Sequence, residues 1–263
     1  MNKSLLNHPF HMVTLSPWPL MTSMSILNML IGTIKWFHEF NMNIFLLGLF
    51  SILMNLSFWW RDVMRESTFQ GSHTKYVLKL LKLGMLLFII SELFFFLSFF
   101  WTFFHNVLSP SIEIGMIWPP LNISPFNPYN IPLLNTIILL SSGISITWSH
   151  YSMLNNNFKK SLNSLKITIF LGVYFTFLQY YEYYESSFTI SDSIYGSIFF
   201  LTTGFHGMHV IIGTIFIIIT LMRMKNLHFS KIHHFGFEAS AWYWHFVDVI
   251  WLFVYTLIYY WKF

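Results

Sequence analysis

The 263-residue chain is 55% hydrophobic and 21% aromatic, with only 9% charged residues and a formal net charge of +4. A soluble domain carries about 25% charged residues, so this chain has too few to cover a water-facing surface; a soluble globular enzyme is excluded, and disorder with it. A polytopic all-α membrane protein remains. The lack of cysteine excludes a disulfide framework, thiolate metal sites, iron–sulfur clusters and a cysteine nucleophile. It also means that the cysteines of a binuclear copper site cannot come from this chain. There are 31 Phe and 30 Ile but only 2 Ala and 9 Val. Lipid packing favours small residues at helix contacts, so the skew reads as codon bias in an A+T-rich genome such as many organelles carry.

A bilayer core of ~30 Å needs about 20 mostly apolar residues per helix. The charged residues divide the chain into seven such segments. The first, 15–34, opens on Pro17 and Pro19, which cost no hydrogen bond in a first turn. It lacks the basic region and cleavage site of a signal peptide. The second, 40–60, ends in Trp59-Trp60, and the third, 83–104, is interrupted only by Glu92. The connection from His105 to Pro132 holds six of the nine prolines and is expected to be an irregular loop outside the hydrocarbon, where backbone amides stay paired.

The fourth segment is 133–152. The fifth, 160–185, has only 15 uncharged residues between Lys166 and Glu182, so its ends run into charged flanks that snorkel. The sixth, 193–222, is long enough to tilt or protrude, and the seventh, 239–261, contains Asp248. Without repeats or low-complexity linkers, residues 1–263 read as a single transmembrane domain. Twelve of the 14 basic residues fall on the side of the N-terminus and of the connections after spans two, four and six. The positive-inside rule therefore puts the N-terminus inside and the C-terminus outside.

Glu92 sits near the middle of span three. A carboxylate at that depth costs several kcal/mol unless protonated or paired, and such residues are functional by default. The residues alone leave two roles open: an interhelical hydrogen bond or proton handling. His206 and His209, three apart, share one face of span six and are expected to meet another span, with Glu92 within direct or one-water hydrogen-bond reach of His209. His245 and Asp248 have the same spacing in span seven and suggest a buried polar pair. With His150 at the end of span four, these are the few intramembrane histidines, too few facing ligands for haem or copper. His233-His234 belong to an inside loop. The junction after span two, Trp59 to His73, sets tryptophans beside arginines at the interface, which suits phospholipid headgroups.

The run Trp242 to Trp251 (WYWHFVDVIW), preceded by His233 to Glu238 (HHFGFE), resembles the mitochondrial cytochrome c oxidase subunit III family. So do Trp59 to Gly71 (WWRDVMRESTFQG), Ile89 to Glu92, Trp118-Pro119-Pro120, Ser145 to Trp148 and Thr203 to Gly213 (TGFHGMHVIIG), in the family's order from about Pro17 to Tyr260. The resemblance implies seven helices in a 2+5 arrangement around a lipid-filled cleft. It further implies a non-redox core subunit of cytochrome c oxidase that supports assembly, stability and proton uptake of the catalytic subunit. On this reading the chain carries no metal or other cofactor; haem a and copper belong to partner subunits I and II, accessory subunits surround the complex, and no nucleic acid is bound. The expected location is the mitochondrial inner membrane, with the N-terminus in the matrix and the C-terminus in the intermembrane space.

By resemblance, Glu92 matches the family's carbodiimide-reactive carboxylate. Trp60, Arg65, Glu66, Phe69 and His73 match cleft-lipid positions, and Arg223, His228 and His233 match further headgroup contacts. Ser230 stands where relatives have Thr, and Ser72 where some have His. An autonomous proton or ion transporter is the reading from another class, but it needs more intramembrane charge and broken helices than Glu92 and Asp248 provide. A haem-binding cytochrome lacks facing histidines, and a seven-span receptor would have its N-terminus outside. A quinol oxidase subunit lacks the first two spans, which are present here.

Overall fold

The computed structural model describes residues 9–261, the Ile114 side chain excepted. Among them are seven long α-helices and no strand: α1 Trp18–Glu39, α2 Asn43–Thr68, α3 Lys75–Leu108, α4 Ile131–Leu154, α5 Phe158–Tyr184, α6 Ile194–Lys225 and α7 Phe235–Val254. A π-helical turn, Tyr255–Tyr260, continues α7. All seven are long and apolar enough to cross a membrane. Several outrun the segments marked by charge. Helix α2 continues eight residues past Trp60, α3 begins at Lys75 rather than 83, and α7 begins at Phe235. Charges mark where hydrocarbon ends, whereas intrahelical hydrogen bonds persist into the headgroup and aqueous layers.

The chain forms two compact units, one up to Leu81 and one from Lys82 onward, with α3 running through the division. In the first unit, α1 and α2 bury small and polar residues only: Thr22, Ser25 and Gly32 on α1, and Gly48, Asn55 and Glu66 on α2. A Cβ on Gly32 would lie 2.4 Å from the Phe45 backbone nitrogen, and one on Gly48 would lie 2.6 Å from that of Met29. The two backbones therefore touch, as small residues permit in lipid. Asn55 Nδ2 donates across the same seam to Ser25 Oγ at 2.9 Å.

In the second unit, α4 presents Ser142, Ser145, Ser149 and Ser152 on one buried face. Ser145 and Thr168 share a hydrogen bond of 2.7 Å, and Ser149 and Ser161 one of 2.9 Å, joining α4 to α5. The large side chains come from the neighbours. Trp244 and Trp251 of α7 are fully buried, and Trp244 Nε1 donates to Ser142 Oγ at 2.8 Å while Trp251 Nε1 donates to Thr136 Oγ1 at 3.1 Å. Small α4 residues accept bulky α7 indoles, and each buried indole N–H finds an acceptor. Phe96, Phe100, Phe103 and Val107, spaced four, three and four, form the buried seam of α3. Trp118 of the proline-rich connection is buried against Phe103 and Tyr195.

Candidate functional site

Glu92 lies at the middle of α3 and His209 on α6, and the Glu92 Oε2 to His209 Nε2 distance is 3.0 Å. The other ring nitrogen, His209 Nδ1, is 2.6 Å from the Phe205 carbonyl oxygen one turn earlier. A carbonyl only accepts, so Nδ1 carries a proton and Nε2 is left to meet the carboxyl group. Phe96 stands edge-on to the His209 ring and Tyr243 stacks beside it. The contact is thus flanked by aromatic carbon while the Glu92 side chain stays 26% exposed at the helix surface, and in a low-dielectric setting such pairing matters most.

His206 goes elsewhere. Its ring is fully buried between Phe175 and Trp251, and its Nε2 donates to the Val247 carbonyl of α7 at 3.1 Å. Three residues along a helix leave a large enough angle for one histidine to reach α3 and the other α7. No hydrogen bond joins His245 to Asp248 among the described residues; both side chains instead converge on Gly143 of α4. A Cβ there would fall 3.0 Å from Asp248 Oδ2 and 3.7 Å from His245 Nδ1. Glu182, read from the sequence as part of a snorkelling charged flank of span five, is only 1% exposed and sits beside Tyr259. The last turn of α5 folds against the bundle before the helix ends, which charge counting along the chain does not see.

At the α2 junction, Trp60 and Phe69 are exposed, and Arg65 is more than half exposed while reaching Asp62 at 3.6 Å. Glu66 turns inward and pairs with His11 Nε2 at 3.1 Å, so it ties the segment before α1 to α2. His73 lies edge-on to the same His11 ring. Trp18 Nε1 donates to Asp62 Oδ2 at 2.7 Å, and a cleft beside this contact is lined by Ser16, Trp59, Asp62, Arg65 and Gln70.

In the last turn of α6, Arg223 places its guanidinium over the Phe229 ring at 4.5 Å, and Gly236 leaves room for it, since a Cβ there would meet Arg223 Nη1 at 2.4 Å. The His228 backbone N–H donates to the Arg223 carbonyl, and that of His233 to Ser230 Oγ. Burial, with the Arg223 guanidinium and the His234 ring nearby, draws the His233 imidazole below its usual range. A further cluster, His150, His234 and Glu238, is not apparent from sequence as a unit. Only the four-residue step from His234 to Glu238 hints at it, because His150 comes from another helix.

The sequence matches the profile of the cytochrome c oxidase subunit III family over residues 8–263. It is 57% identical to cytochrome c oxidase subunit 3 of Aedes aegypti, 56% to that of Drosophila melanogaster and 58% to that of Locusta migratoria, each alignment covering 97% of both chains. The serine-faced α4, the indoles it receives and the α3–α6 carboxyl–imidazole contact are therefore features of a member of the cytochrome c oxidase subunit III family, to which this chain belongs.

Proposed function

We propose that the chain is the non-redox core subunit of cytochrome c oxidase in the mitochondrial inner membrane. It packs beside subunits I and II, which carry haem a and copper, and beside accessory subunits. Its N-terminus faces the matrix and its C-terminus the intermembrane space, following the basic-residue asymmetry. Its contribution to electron transfer from cytochrome c to oxygen is indirect, through assembly, stability and proton uptake of the catalytic subunit. Phospholipid headgroups are held by Trp60, Arg65, Phe69 and His73 on one unit and by Arg223, His228 and His233 on the other. Arginine suits this role because its planar fork matches phosphate.

One observation carries the mechanistic part: the 3.0 Å contact between Glu92 and His209, closed behind by the Phe205 carbonyl. An unpaired buried carboxyl or imidazole costs about 1–3 kcal/mol, so the contact relieves two penalties at once. One proton bridges the carboxyl group and Nε2 while Nδ1–H donates to the Phe205 carbonyl, so both ring nitrogens are matched. Such a pair latches α3 to α6 without itself turning over protons. The test is oxidase turnover and proton uptake in a Glu92→Gln complex. Loss of proton uptake with assembly intact would replace the latch with a proton relay.

A further inference from the structure

At one end of the second unit, three ligand-type side chains converge from two helices. His150 comes from the last turns of α4, His234 caps the start of α7, and Glu238 lies one turn into α7. His234 Nε2 is 3.3 Å from His150 Nε2 and 3.2 Å from Glu238 Oε1, and the three ligand atoms all lie within 4.8 Å of one another. His234 Nδ1 is 3.0 Å from the Ser230 carbonyl oxygen, so it carries a proton, and Nε2 is the nitrogen turned toward the other two groups. Lys82 Nζ holds the other carboxylate oxygen, Glu238 Oε2, at 2.6 Å, leaving Oε1 turned to the histidines. His150 is fixed by stacking on Phe237.

The arrangement poses a local electrostatic problem. Two imidazole nitrogens and one carboxylate oxygen surround a single point. A proton placed there satisfies one pair of these atoms at a time. A divalent cation satisfies all three. Two of the three separations also fit. A tetrahedral zinc with bonds of about 2.0–2.1 Å to nitrogen and oxygen sets its ligand atoms about 3.3 Å apart; the two distances centred on His234 Nε2 are 3.3 and 3.2 Å, and the His150 to Glu238 separation lies within 4.8 Å, so the metal would draw these two together. Two His and one carboxylate, with a fourth position for water, suit zinc and not the hard cations, which prefer oxygen shells. The supporting contacts are present too: the Ser230 carbonyl on His234, and Lys82 on Glu238.

We infer that His150, His234 and Glu238 form a binding site for a divalent transition metal, with zinc as its natural occupant class, joining the end of α4 to the start of α7. It is separate from the Glu92–His209 contact and does not depend on the role proposed for that pair. Lys82 acts as a tethered competitor: its ammonium neutralises Glu238 when the metal is absent and weakens the carboxylate as a ligand when the metal arrives. Because the ligands must be deprotonated, occupancy falls with acidification.

The experiment uses the intact oxidase complex, stripped with chelator and dialysed against buffered Zn²⁺ with excess Mg²⁺. Metal is counted per complex, and crystals of the wild-type complex soaked in Zn²⁺ are measured at the zinc absorption edge. The expected result is an anomalous peak among His150, His234 and Glu238. His150→Gln and Glu238→Gln should each weaken zinc retention by about 10-fold or more. Lys82→Met should strengthen it, an outcome that misfolding does not produce. Zinc peaks elsewhere only, equal retention in wild type and both ligand variants, weaker retention in Lys82→Met, or displacement by Mg²⁺ would each overturn the assignment. If a ligand variant does not assemble, the wild-type anomalous map and Lys82→Met decide it.

Discussion

Gly172 of α5 lies directly against the indole of Trp244, so close that a Cβ on Gly172 would stand 2.7 Å from Trp244 Cη2. On the opposite side Gly213 of α6 makes the same approach, its virtual Cβ 2.9 Å from Trp244 Cε3. One tryptophan is thus gripped between two glycines while its N–H is held by Ser142, and α4, α5, α6 and α7 meet at a single side chain. Overpacking a core of this density costs about 1–3 kcal/mol. Gly172→Ala should therefore lower the temperature at which the subunit leaves the purified complex. Gly84, which has open space around it, is the control, and Gly84→Ala should leave that temperature unchanged.

The Glu92–His209 contact separates two substitutions. Glu92→Gln keeps a hydrogen-bonding group of the same shape, so turnover should survive largely intact and the subunit should stay bound. Glu92→Leu leaves His209 Nε2 buried without its partner, at a cost of about 1–3 kcal/mol. It should loosen the subunit, read as loss of this chain from the complex on native gels. Equal retention of both variants would show that the contact does not hold the helices together.

Topology is open to direct measurement. Residues 61–82 carry five of the twelve basic residues assigned to the inside. Protease applied from the matrix face of inverted inner-membrane vesicles should cut there, and protease applied from the intermembrane side should not. Cleavage from the intermembrane side alone would reverse the orientation.

Headgroup binding should depend on the exposed arginine and the half-buried one together. The Arg65→Ala, Arg223→Ala complex is expected to lose tightly held anionic phospholipid in native mass spectrometry. Glu66→Gln should retain it, because Glu66 is engaged with His11 and not with the exposed face. Unchanged lipid in the double variant would remove both arginines from the proposed sites.

A pair of substitutions checks whether α7 is seated by its indole hydrogen bonds. Trp251→Phe leaves Thr136 Oγ1 without its donor, and Trp244→Phe leaves Ser142 without its own. Each is expected to cost about 1–3 kcal/mol through the lost hydrogen bond and the unfilled space. Thermal release of the subunit measures this, and a change no larger than that of Gly84→Ala would count against these bonds as anchors.

The sequence by itself determined the class, the number of spans and the family motifs. Those depend on composition and on the distance between charges, which the thickness of the hydrocarbon converts directly into helices. It also pointed to His209 as the partner of Glu92, since polar groups so deep in a bilayer are few. The partner of His206 was left to the tertiary structure. His206 and His209 share a face by spacing, yet the rotation of α6 against α3 and α7 sends one to the Glu92 carboxyl and the other to the Val247 carbonyl. The same holds for Glu66, whose partner His11 lies 55 residues away, and for Glu182, a residue of the charged flank of span five that packs inward. The His150–His234–Glu238 cluster is the furthest from legible, because its members come from α4 and α7 and only packing brings them within reach. Hydrophobic periodicity and charge are properties of one segment, whereas the angle and register between helices are set by how glycines, serines and indoles interlock, and those contacts are made only when the whole bundle assembles.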